Sequence, residues 1–131
     1  MAKVKDNLQY VFIHPSWRGA WCWDQVLSIM HTWGREAYAP DGPGHGSRLH
    51  EIERVSLADY PRVYAEFIKQ RNLNRVVLVG NSIGGLMVQL TSSSSSQARR
   101  AATPPLLRVC FSSCINSSSR GSTCPIACVG T

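Results

Sequence analysis

Apolar residues fall in short blocks along the first 90 positions, and the blocks alternate between two spacings. Tyr10-Val11-Phe12-Ile13 is continuous, as in a strand buried on both faces, and stops at His14-Pro15, where proline breaks a ladder. From Ala20 to Trp33, Trp23, Val26, Leu27 and Met30 recur at helical spacing, with Gly34 as the stop. Glu36-Ala37-Tyr38-Ala39 forms a second short strand, closed by Pro40. The stretch Asp41-Gly42-Pro43-Gly44-His45-Gly46 has the composition of an ordered turn. Over Ser56–Asn72, Leu57, Tyr60, Tyr64, Phe67 and Ile68 make one helical face, with Ser56 as N-cap and Asp59 as first-turn charge. Pro61 falls in the first turn or so, where a missing N–H matters least. Arg75–Val79 is a third continuous apolar strand, and Ile83–Leu90 opens a third helix. Strands near 10–13, 36–39 and 75–79, separated by helices, predict an α/β domain with a three-stranded parallel sheet and right-handed crossovers.

The pattern breaks at Thr91. Residues 91–131 hold eleven serines, five of them in the run Ser92–Ser96, together with Pro104-Pro105, and sustain neither period. Such composition buries too little apolar surface to offset ordering entropy, so a disordered tail is expected. The break falls inside a helix and not at a linker, as it would in a truncated or frame-shifted reading of a longer protein. Residues 1–90 are then the domain, and 91–131 a low-complexity Ser/Arg/Cys tail.

Charge follows the same division. Of the formal +6, the tail supplies Arg99, Arg100, Arg108 and Arg120 and no acid. The basic residues are scattered, without a stripe or interleaved aromatics, so nucleic acid is not an expected partner. No apolar stretch approaches the roughly 18 residues of a membrane span, and Met1–Asp6 is polar, unlike a signal peptide. Neither a membrane partner nor export is expected, and the cytoplasm is the expected compartment. Cys110, Cys114, Cys124 and Cys128 form two C-x3-C pairs. Zinc knuckles favour two-residue spacing, and a disulfide framework lacks a secretory signal to support it. No metal or cofactor is expected.

The chemistry sits in Gly80-Asn81-Ser82-Ile83-Gly84-Gly85, directly behind the third strand. Strand, sharp turn with serine and helix together form the G-x-S-x-G nucleophile elbow. A serine on so tight a turn needs small residues two before and two after it. The following helix aims free N–H groups at developing negative charge. A dinucleotide fingerprint would need glycine where Ser82 stands, and a P-loop would need lysine at Asn81. After Ser82, however, no Asp, Glu or His occurs as far as Thr131.

Three collinear segments resemble the first half of an α/β-hydrolase, in the version seen in methylesterases and hydroxynitrile lyases. They are Phe12-Ile13-His14-Pro15-Ser16-Trp17-Arg18-Gly19-Ala20-Trp21-Cys22-Trp23, Pro40 through Gly46, and Val77 through Gly85. The resemblance implies a partial α/β-hydrolase fold, a parallel sheet with flanking helices, truncated after the nucleophile-elbow helix. It also implies Ser82 as nucleophile, the N–H groups of Ser16 and Ile83 as oxyanion hole, and Trp17 on the substrate pocket. The family usually has glycine where Pro15 stands, and hydroxynitrile lyases carry a threonine there. Pro15 therefore points to hydrolysis of a small-molecule ester. The triad acid and base follow the serine in this family, so His14 and His45 read as loop-packing residues and His31 and His50 as surface. Of Trp17, Trp21 and Trp23, at least two should pack the core.

Three functional readings follow: a serine hydrolase whose present chain lacks the relay and is largely inactive, an active hydrolase completed by another chain or by an unusual base, and a non-enzymatic ligand- or partner-binding module on the same scaffold.

Overall fold

The computed structural model describes residues 7–98, 108–112 and 127–129, with side chains through Ser93. Its strands are β1 (Gln9–Ile13), β2 (Glu36–Tyr38), β3 (Val76–Asn81), β4 (Arg108–Ser112) and β5 (Ala127–Val129). Its α-helices are α1 (Asp24–Thr32), α2 (Asp59–Gln70) and α3 (Ile83–Ala98). The sheet order is β2-β1-β3-β4-β5. The three predicted strands are parallel neighbours, with Gln9 opposite both Glu36 and Val76.

The apolar runs form strands because both faces are covered. Val11, Ile13, Val76 and Leu78 pack with Tyr64 and Ile68 of α2 and Met87 and Val88 of α3 in one buried cluster. Phe12 points the other way, and its ring lies 5.0 Å from that of Trp23, ahead of α1. Burying side chains of this size stabilises by about 1.5–3 kcal/mol each.

Three boundaries differ from the periodicity. The segment 20–33 divides into a 3-10 stretch, Ala20–Trp23, followed by α1. Gly46–Arg54 is 3-10 helical, where the sequence signals only a turn. α2 starts at Asp59, not Ser56. There the Asp59 carboxylate accepts from both the N–H and the hydroxyl of Ser56 at 2.8 Å, so the acid caps the serine and not the reverse.

A larger departure lies beyond Leu90. α3 continues to Ala98 through the serine run. Ser92 and Ser93 donate their hydroxyls to the carbonyls of Val88 and Gln89, one turn back, which satisfies them within the helix. β4 then pairs parallel with β3, and β5 pairs antiparallel with β4. The edge of β3 away from β1 is therefore occupied, and the sheet has five strands where the sequence pattern predicts three. The disorder expected for the rest of 91–131 falls outside the described residues. Among the described residues, no helix is long and apolar enough to cross a membrane.

Candidate active site

The strand order sets the position of the site. From β1 the chain passes to β2 on one side, then returns beyond β1 to β3 on the other. The connections thus diverge between β1 and β3, and open α/β sheets bind ligands in the crevice outside the carboxyl ends at such a point. Ile13 is in register with Gly80. The chain leaving β1 at His14 therefore emerges beside the chain leaving β3 at Ser82.

Ser82 occupies the junction between β3 and α3, is exposed, and has φ 58°. A left-handed backbone at a non-glycine residue costs on the order of 1–3 kcal/mol and persists only where its surroundings enforce it. Here backbone enforces it. A Cβ on Gly80 would lie 2.3 Å from the carbonyl carbon and oxygen of Gly84, and one on Gly84 would lie 2.6 Å from the carbonyl oxygen of Ile13. Both glycines permit a backbone approach that any side chain would block. The Ser82 carbonyl accepts from the Gly85 N–H at 2.9 Å, closing the first turn. As the first helical residue, Ile83 has an N–H without an intrahelical partner, at the positive end of the helix.

Ser16, Trp17 and Ile83 line one cleft of about 610 Å³. Ser82 is not on its lining; it precedes Ile83 at the edge. Further lining comes from the 3-10 segment, the turn after it and the start of α2, through Leu49, Ile52, Leu57 and Tyr60. Trp17 has φ 62° and is 93% exposed. Trp21 also lines the cleft and is more than half exposed. Only Trp23 of the three tryptophans packs against the sheet, which corrects the expectation that two would. The loop after β1 carries the first two outward before the chain turns back.

The histidines bond to backbone, as their turn positions suggest. His14 is 3% exposed. Its Nε2 accepts from the Gly42 N–H at 2.9 Å, which leaves Nδ1–H to donate to the Pro15 carbonyl, also at 2.9 Å. Burial holds the His14 imidazole below its ordinary pKa, and with both nitrogens engaged it is a neutral strut. His45 Nδ1 lies 3.0 Å from the Pro43 carbonyl oxygen. His31 and His50 are exposed, His31 bonding the Ala37 carbonyl.

Asp41 organises the site, although the sequence marks it only as a turn residue. Its carboxylate accepts from the Ala20 N–H at 2.7 Å and from the N–H and hydroxyl of Ser47 at 3.0 and 2.8 Å. Burial alone would raise its pKa, but these donors outweigh it and hold the carboxyl below its usual value. Asp41 thereby ties the loop after β1 to the loop after β2. An Asp directly before Gly-Pro-Gly was the available signal.

Parallel strands β2-β1-β3-β4 flanked by helices, with a cleft beside the carboxyl ends of β1 and β3 where the connections diverge, define an α/β fold. The sequence model of the alpha/beta hydrolase family matches residues 10–125, and the chain belongs to that family. It is 31% identical over 80 residues to a carbendazim hydrolyzing esterase of Nocardioides sp., a match covering 60% of this chain and 33% of that one. Salicylic acid-binding protein 2 of Nicotiana tabacum is 28% identical, with 76% of this chain and 39% of that one covered. Among solved structures, an extracellular alpha/beta-hydrolase from a Paenibacillus species superposes with TM-score 0.63 at 31% identity, covering 68% of this chain and 36% of that one. The chain spans about a third of the length of the curated relatives it matches.

Proposed function

We propose that the site belongs to a serine carboxylic-ester hydrolase, with Ser82 as nucleophile, the N–H groups of Ser16 and Ile83 as oxyanion donors, and Trp17 on the substrate pocket. The observation that carries this reading is the left-handed backbone of Ser82 at the strand-to-helix junction, enforced by Gly80 and Gly84. A plain turn serine has no need of such strain. Attack by Oγ on an ester carbonyl would place the developing oxyanion against backbone donors, each worth on the order of 3 kcal/mol in the transition state. Relatives named as esterases support the substrate class, a small-molecule ester.

On this reading the serine has no relay among the residues of this chain. No Asp, Glu or His follows it, and His14 is committed to Gly42 and Pro15. Without a base, kcat should fall about 10⁶-fold below an intact triad, leaving only what the oxyanion donors and binding supply. A fluorophosphonate label and 4-nitrophenyl acetate test this on the purified chain. Slow hydrolysis, removed by Ser82→Ala, with little labelling is expected. Fast turnover abolished by Ser82→Ala would show a base within the chain. Hydrolysis indifferent to Ser82→Ala would overturn the assignment.

A further inference from the structure

We propose that Arg18 is a specificity-determining residue, which selects esters carrying a carboxylate at the end remote from the reacting carbonyl. The inference rests on the ester-hydrolase reading of the cleft and adds the substrate's charge to it.

The lining of the cleft contains no Asp, Glu or Lys, and Arg18 is its one permanently charged side chain. His14, on the same lining, is held neutral by burial and by its two backbone bonds. The other polar side chains on the lining are Ser16, Ser56, His45 and the two tyrosines, none of them a carboxylate, and the rest is apolar or aromatic, so no negative charge on the lining opposes a positive field. Nearby arginines are already neutralised: Arg48 pairs with Glu51 at 3.0 Å, and Arg62 pairs with Asp59. Among the described residues, no carboxylate pairs with Arg18. Its guanidinium lies over the Trp21 ring, 5.3 Å from the centroid. Stacking on an indole fixes the position of the cation without cancelling its charge, and a stacked guanidinium keeps its edge N–H groups for a planar acceptor. A carboxylate is that acceptor, since it takes two parallel N–H bonds.

Sequence places the two functions on one short loop. Ser16, at the reacting end, and Arg18, on the rim, are separated only by Trp17, whose exposed indole offers a platform between them. A ligand fitting this arrangement has its ester toward Ser82, an apolar body along Trp17, Leu57 and Ile83, and an anion at the mouth. A neutral ester fills the same walls and leaves Arg18 unused. An amine-bearing one is repelled.

The test compares monomethyl adipate with methyl hexanoate, which has the same length of chain and no carboxylate. Binding to the full chain is read by tryptophan fluorescence, in the Ser82→Ala background so that the ester survives. Monomethyl adipate should bind about fivefold more tightly at low salt, the upper range for an exposed ion pair. The advantage should shrink as sodium chloride shortens the screening length. Arg18→Gln should bring the two dissociation constants together while leaving that of methyl hexanoate unchanged, which also reports an intact cleft. Equal affinities in the Arg18 protein, or a preference surviving Arg18→Gln, would overturn the proposal and leave the ester reading standing. Failure of both esters to bind would remove the ester reading and the proposal with it.

Discussion

The turn at Ser82 and the loop from Ser16 to Arg18 leave adjacent parallel strands at the same end of the sheet, and each contains a non-glycine residue in the left-handed region: Ser82 at φ 58° and Trp17 at φ 62°. Their surroundings differ. Ser82 is fixed by backbone against backbone, with no side chain able to give way. The Trp17 loop is held only near its ends, by His14 to the Pro15 carbonyl and by the Ala20 N–H to Asp41, with its side chains standing in solvent between. A reacting atom benefits from the first kind of support, because small displacements cost rate. A surface that recognises ligands tolerates the second. One wall of the cleft is built for position and the other for adaptation.

Substitution at the glycines tests this contrast most severely. Gly80→Ala should cost more than about 4 kcal/mol, since the clash is with main chain that cannot move without separating α3 from the sheet. Gly19→Ala, on the adaptable side, meets the Asp41 carboxylate at 2.9 Å and the Trp21 side chain at 3.1 Å, and should cost about 2 kcal/mol, because the Asp41 oxygen that must shift also holds the Ala20 N–H. Urea unfolding of the two variants measures the difference, and equal costs would abolish the distinction.

Asp41→Ala should come next, at about 2–3 kcal/mol, because it strands the Ala20 and Ser47 donors. It should weaken ester binding while leaving the Ser82 backbone intact, seen as loss of fluorescence quenching with little change in far-ultraviolet circular dichroism.

Acid supplies a milder perturbation. The folded pKa of His14 lies below its ordinary 6.5, so its contribution to stability is complete above that value and is lost as pH falls through the folded one. Asp41, also depressed, acts in the same direction from its ordinary 3.8 downward. Melting temperature should therefore decline from pH 7 toward pH 5, and His14→Gln should flatten the decline. A rise on acidification would contradict the neutral-strut geometry.

The smallest effect should be Tyr64→Phe. The Tyr64 hydroxyl is buried without a hydrogen-bond partner, and burial with the neighbouring Tyr60 and Asp41 pushes its pKa up. Removing it should stabilise by up to about 1 kcal/mol, read as a slightly higher urea midpoint.

The legible parts of this chain are those where one physical term dominates. Tyr10–Ile13 and Val76–Val79 are apolar without interruption, and burial on both faces leaves no competing reading. The tight turn at Ser82 was legible because such a turn demands small residues two positions before and two after it, here Gly80 and Gly84. Gly46–Arg54 was not, since a 3-10 stretch has no apolar period to display and its conformation depends on Asp41 bonding Ser47. The serine run was misread for a different reason. Serine is a poor helix former when its hydroxyl competes for backbone, but the Ser92 and Ser93 hydroxyls bond carbonyls one turn back, within the helix. β4 was hidden because its pairing with the waiting edge of β3 lies in no local pattern.

The clearances at Gly80 and Gly84 also bear on how such a turn can change over generations. Every amino acid one nucleotide away from a glycine codon carries a β-carbon, and at these two positions the β-carbon itself meets main chain within 2.6 Å. No mildest step exists at either site, because alanine already meets the full obstacle. Lineages that hold this turn under selection have no gradual route out of it, and those released from selection lose it in a single event.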